Sequence, residues 1–127
     1  MLTWAFVCQK GGSGKTTLAT HLAVCAEQRG ETVALIDLDP QASAVAWHQI
    51  RGNDEPIVLP ATPARLEDVV KGAEKLGVTA LLIDTAPHAD RGALAAIRLA
   101  DLIVMPVRAS LLDIAALRDT VKLLEIT

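Results

Sequence analysis

A chain of 127 residues, about half of them apolar, is one domain with a real core; a domain of this size buries roughly two-thirds of the surface its unfolded chain exposes. A net charge of −3 excludes the overall basic footprint of a dedicated nucleic-acid binder, though not a local patch. No run reaches the roughly 18 apolar residues of a membrane-spanning helix, and Cys8 and Cys25 match neither a metal-ligand spacing nor a disulfide framework, so both read as small buried residues.

In chain order, LTWAFVC (2–8) reads as a strand. Residues 15–29 read as a helix with Leu18, Leu22 and Cys25 or Ala26 on one face, ended by Gly30. TVALIDL (32–38) is a second aliphatic strand stopped by Pro40, followed by a helix over 42–51 and a loop, GNDEP (52–56). IVLP (57–60) is a short strand, placed at a sheet edge by its bracketing prolines. Leu66, Val69, Val70, Ala73 and Leu76 fall at helical spacing over 64–76, and Gly77 caps that helix. VTALLID (78–84) is a third aliphatic strand. Residues 90–99 form a helix with Leu94 and Ile97 inward, and DLIVMPV (101–107) is a strand. Over 111–125, Leu111, Ile114, Leu117, Val121 and Leu124 mark one helical face. Only Trp4, Phe6 and Trp47 are aromatic, so the core is aliphatic. Such alternation predicts an α/β fold: a mainly parallel, twisted sheet of about five strands with helices on both faces.

The stretch QKGGSGKTT (9–17) joins the first strand to the first helix, the context that a phosphate-binding loop requires. Gly11, Gly12, Ser13 and Gly14 let successive backbone N–H groups turn toward one anion, and the helix N-terminus adds its own unpaired donors. Lys15 brings a point charge to the β- and γ-phosphates, the Thr16 hydroxyl is placed to ligate Mg²⁺, and Thr17 is the next phosphate contact. The strict pattern G-x-x-x-x-G-K-[ST] is not met, because Gln9 stands at the first glycine position and a second lysine, Lys10, opens the loop. A triphosphate site also needs acids. LLIDTAP puts Asp84 at the end of an aliphatic strand, as a Walker B metal-binding acid, and ALIDLDPQ puts Asp37 and Asp39 at the end of another. Parallel strands bring their carboxyl ends to one edge, so Asp39, Asp84 and the loop converge although they are distant in sequence.

With QKGGSGKTT, DLDPQ and LLIDTAP in this order, the chain resembles the ParA/MinD family of deviant Walker A ATPases, and within it the small ParA proteins that partition plasmids. Residues 1–125 follow that pattern. The resemblance implies a P-loop NTPase fold and a weak ATPase that binds ATP or ADP with Mg²⁺. It matches Lys10 to the signature lysine that crosses a dimer interface to the other subunit's nucleotide. It matches Lys15 to the loop lysine, Thr16 and Asp84 to the metal site, and Asp39 to the residue that orients the hydrolytic water. PVRASLLD (106–113) falls near the family's dimer interface. The implied partners are a second copy on ATP binding, nonspecific DNA, and a cargo-bound adaptor that stimulates hydrolysis. The implied place is the cytoplasm, at the nucleoid if DNA binding is retained.

Read from the residues alone, Lys10 is equally a solvated loop lysine or a second phosphate contact within its own subunit. His21 stands where asparagine is common in the family, and His88 lies in a loop near the active edge, where histidines are usually solvated. Arg91, Arg98, Arg108, Arg118 and Lys122 read first as a solvated helix face. Family members run well past this length, so 1–127 is expected to be a single domain carrying the phosphate and metal chemistry, as a fragment, a truncated form or a minimal ATPase, and a sheet edge left bare by truncation is expected to be prone to association. The alternative function on this scaffold is a small-molecule kinase or ligase similar to dethiobiotin synthetase. It requires substrate groups near the γ-phosphate, and none is evident. A GTPase lacks its N-K-x-D motif, a nitrogenase iron protein lacks loop cysteines in 85–92, and a non-hydrolysing ATP-dependent dimerisation module is a further class.

Overall fold

The computed structural model describes residues 1–8, 14–87 and 91–127, except for the side chains of Leu111 and Asp113. Five strands form one sheet: β1 (Leu2–Phe6), β2 (Val33–Asp37), β3 (Ile57–Pro60), β4 (Ala80–Asp84) and β5 (Leu102–Val104). Their order is β3-β2-β4-β1-β5, and every pairing is parallel. The helices are α1 (Lys15–Gln28), α2 (Ser43–Arg51), α3 (Leu66–Lys75), α4 (Arg91–Leu99) and α5 (Leu111–Glu125), with a 3₁₀ turn at Pro63–Arg65 before α3.

The sheet is parallel because its strands are aliphatic on both faces. All five residues of β2, VALID, are buried. Alternate side chains then feed two separate cores. On one face Ala5, Ala34, Ile36, Leu81 and Ile83 pack with Leu66 and Ala73 of α3, Ala93, Ala96 and Ile97 of α4, and Leu123 of α5. On the other, Phe6, Val33, Leu35 and Leu82 pack with Ala19 and Ala23 of α1 and Ala44 of α2. Each fully buried leucine or isoleucine contributes about 1.5–3 kcal/mol relative to exposure. Central position belongs to β4, whose residues align with β1 on one side and β2 on the other, so that Phe6, Asp84 and Asp37 stand abreast at the carboxyl edge.

The fold expected from the sequence is present, and β3 is an edge strand as its prolines imply. Helix faces differ from expectation. In α1 the buried residues are Lys15, Ala19, Thr20 and Ala23; Leu18 is exposed and Leu22 half-buried. Small residues let the helix lie close to the sheet, which turns the leucines sideways. Cys8 is buried as expected, but Cys25 is exposed for the same reason. Leu76 does not join the α3 face; it sits at the C-terminal cap, 83% exposed, because the helix ends at Lys75. In α5 the inward residues are Thr120 and Leu123, with Leu124 half-buried, whereas Ile114 and Val121 are exposed. The expected α5 face is therefore rotated, and Leu111 of it lies outside the described side chains.

Helices α1 and α2 cover the β4, β2 and β3 part of their face. Beyond them lies a groove of about 550 Å³ lined by Leu2, Trp4, Leu22, Cys25, Ala26 and Leu82, among others. Leu102 on the edge strand β5, abreast of Trp4, is 46% exposed. An edge strand with an exposed leucine is a template for association. Leu102→Lys is expected to reduce self-association, measured by sedimentation, while changing unfolding free energy by no more than about 0.5 kcal/mol.

Candidate nucleotide site

At the carboxyl edge of the sheet, the chain leaves β1 and enters α1 through Gly14, whose φ of 90° is a left-handed conformation that side chains other than glycine rarely adopt. The Lys15 side chain is buried at the first turn of α1. Thr16 is half-buried, and its hydroxyl donates to Asp84 Oδ2 at 2.6 Å, joining the helix start to the end of the central strand. Thr17 is exposed beside it. The next turn is tied down by Thr20, whose buried hydroxyl donates to the carbonyls of Thr16 at 2.9 Å and Thr17 at 3.0 Å. His21 Nδ1 lies 2.6 Å from the Thr17 carbonyl and donates to it. His21 is therefore a local polar neighbour on the helix surface.

Asp84 is fully buried, and its Oδ1 has no hydrogen-bond partner. Burial pushes its carboxyl up to about 6; the charges of Asp37 and Asp39 add to that, while the Thr16 hydrogen bond and Lys15 oppose it. An orphaned buried carboxylate oxygen, next to a hydroxyl whose proton is already donated, is a donor set of hard oxygens. It fits Mg²⁺, which takes one or two protein oxygens and completes its shell with water and phosphate. Among the described residues no group of three or more His, Cys, Asp or Glu side chains could hold a metal, so a site of the multi-ligand protein cage type is not present there.

Asp39 follows β2 and is half-buried. Its Oδ1 accepts from the Gln41 N–H at 2.9 Å, and its carbonyl accepts from the Ala42 N–H at 2.8 Å, an Asx-type turn that fixes the carboxylate. The preceding Leu38 N–H donates to the Asp84 carbonyl at 2.9 Å. Asp39, Asp84, Lys15 and Thr16 are thus assembled at one edge, as the sequence led us to expect. Lys10, Gly11, Gly12 and Ser13 lie outside the described residues, as does His88.

A further acid, given no site role from the sequence, also stands at this edge. Asp37, buried at the last position of β2, accepts the Asp39 N–H on Oδ1 at 3.0 Å and the Ala44 and Val45 N–H groups on Oδ2 at 3.1 and 3.2 Å. The second pair are N–H groups of the α2 first turn, normally satisfied by a capping side chain. Ala42 occupies the cap position of α2 and has nothing to offer. The readable signal was this alanine, standing where a cap is needed, five residues after a buried aspartate. Burial raises the Asp37 carboxyl, opposed by its backbone hydrogen bonds.

Comparison with known proteins agrees with this geometry. Residues 4–126 match the family described as the CobQ/CobB/MinD/ParA nucleotide binding domain. The chain belongs to that family. It is 39% identical over 116 residues to the maintenance of carboxysome distribution protein A of Gloeobacter kilaueensis, covering 88% of this chain and 51% of that protein. It is 33% identical over 136 residues to the chromosome-partitioning ATPase Soj of Thermus thermophilus, covering 83% of this chain and 54% of Soj. The chain thus spans about half the length of these curated relatives. Among solved structures, apo McdA of Cyanothece superposes with a TM-score of 0.81 at 22% identity, over 98% of this chain and 65% of that one, a likeness of fold. A variant of that protein has been solved as an ATP complex.

The raised Asp84 carboxyl carries a pH signature. Its folded pKa of about 6 lies above the ordinary 3.8. The folded state therefore binds more protons between those values, and stability falls as pH rises through them. Between pH 4 and 7 this group is expected to remove about 2 kcal/mol of unfolding free energy. Urea unfolding of wild type and Asp84→Asn across that range measures it: the difference between the two should shrink toward low pH.

Proposed function

We propose that the chain is the nucleotide-handling part of an ATP-driven molecular switch that dimerises on ATP and serves partitioning or positioning of DNA or another cargo. The observation that carries this reading is the Thr16–Asp84 contact at 2.6 Å beside the unpartnered Asp84 Oδ1. It joins a loop-helix start to a strand-end acid in the arrangement that triphosphate chemistry needs. The named activities of the relatives, chromosome partitioning for Soj and carboxysome distribution for the Gloeobacter protein, favour a switch over the kinase or ligase alternative.

In this reading Gly14, Lys15, Thr16 and Thr17, together with Gly11, Gly12 and Ser13, hold the phosphates of ATP through backbone N–H groups, the helix N-terminus and the lysine charge. Thr16 and Asp84 would hold Mg²⁺, which supplies charge neutralisation on the phosphates when bound. Asp39 orients the attacking water from its fixed Asx turn. Lys10 reaches from a second copy toward the phosphate charge that builds during hydrolysis, as an arginine finger does. Hydrolysis then releases the dimer from nonspecific DNA, stimulated by a cargo-bound adaptor. Among the described residues no helix is long and apolar enough to cross a membrane.

Two measurements test the reading. ATPase rate against protein concentration, with and without nonspecific DNA, is expected to rise faster than linearly and to be stimulated by DNA. Lys10→Ala should remove the upward curvature, and a strictly proportional rate indifferent to that substitution defeats the dimer switch. Separately, Mg²⁺ with ADP should raise the thermal midpoint more at pH 7.5 than at pH 5.5, because a proton on Asp84 competes with the cation. An equal shift at both pH values removes Asp84 from the metal site.

A further inference from the structure

We infer that Asp37 is a positioning residue that sets where Asp39 stands, by locking the loop between β2 and α2 to the first turn of α2. This rests on the hydrolytic reading above. Asp37 is 2% exposed, and the hydrogen bonds its carboxylate accepts come from backbone N–H groups within residues 39–45. One oxygen holds the Asp39 backbone; the other holds Ala44 and Val45. The carboxylate therefore bridges the two ends of a short loop whose middle carries the water-orienting acid.

The loop is over-determined around this bridge. Leu38 is bonded to the Asp84 carbonyl, and Gln41 and Ala42 are bonded back to Asp39. Ala42 is held at a φ of 55°, the only positive φ of a residue other than glycine among the described residues. A left-handed conformation is strained for alanine, and such strain persists only where its surroundings enforce it. Ala42 is held on both sides, its N–H by the Asp39 carbonyl and its carbonyl by the Ala46 N–H, inside the segment whose two ends the Asp37 carboxylate joins. Burying a carboxylate to cap one helix is costly when a serine or asparagine at the cap position would serve. A role reaching back to Asp39 accounts for an acid at this strand end.

Asp37→Asn is the direct test, because asparagine keeps the shape but has one acceptor oxygen and cannot serve both ends of the loop. The full chain is assayed for kcat, for affinity toward ADP with Mg²⁺, and for hydrogen exchange at residues 39–45. The expected result is a tenfold to hundredfold fall in kcat, affinity within about threefold of wild type, and faster exchange at Gln41, Ala42 and Ala44. In an Asp39→Ala background, Asp37→Asn should lower the residual rate no further. Ala46→Gly, which lowers the helix propensity of α2 without touching the bridge, should leave kcat within about twofold. If Asp37→Asn does not fold, it is read in an Ala42→Gly background, whose glycine suits the 55° φ, against Ala42→Gly alone. Unchanged kcat in Asp37→Asn overturns the inference, as does a loss matched by Ala46→Gly, or a further loss without Asp39. Wild-type protein that binds ADP but turns over no ATP instead overturns the proposed function. Faster exchange in Asp37→Asn would then identify the bridge as a structural cap alone.

Discussion

Parallel registration of the strands is the constraint on which everything else depends. Because β4 lies between β1 and β2 with Phe6, Asp84 and Asp37 abreast, two carboxylates from distant parts of the chain end at the same height. A slip of one residue in either strand would turn those side chains to the opposite face. The register is held by the aliphatic cores on both faces, so the site inherits its precision from Leu35, Ile36, Leu81 and Ile83. Thr85 adds to this, donating both its N–H and its hydroxyl to the Phe6 carbonyl just past the strand ends.

The two acids are kept by different means. Asp37 is met by three N–H groups, and burial raises its carboxyl against the pull of those hydrogen bonds. Asp84 has one hydroxyl on one oxygen and none on the other, and burial pushes its carboxyl up to about 6 against that single hydrogen bond. Identical side chains on neighbouring strands thus differ: one bridges a loop, and the other keeps an unpartnered oxygen. Supply of backbone donors makes the difference: α2 begins beside Asp37, whereas Asp84 faces the start of α1, where a threonine side chain intervenes.

Much of this was legible before the fold was known. Alternation of aliphatic runs with amphipathic segments placed all five strands and all five helices, and the glycines at 30, 52 and 77 do end or follow helices with positive φ. That Lys15, Thr16, Asp39 and Asp84 meet at one edge is legible because motif spacing and strand-end position are local properties of sequence. Helix faces were harder. Periodicity marks where large apolar residues fall, yet α1 buries Ala19 and Ala23 and leaves Leu18 out, since close approach to the sheet selects small residues. Asp37 was passed over because its partners, Ala44 and Val45, are backbone donors that sequence does not display.

The small-residue face of α1 has a mechanical consequence. With 14 residues the helix is a rod about 21 Å long, seated flush on the sheet. One end holds Lys15 and Thr16; the other carries Leu22, Cys25 and Ala26 into the uncovered groove beside Trp4. Beneath it Ala19 and Ala23 rest on Phe6, Leu35 and Leu82 of the sheet. The start of α1 at the candidate nucleotide site and the residues that line the groove near its other end therefore belong to one continuous helix seated on one sheet face.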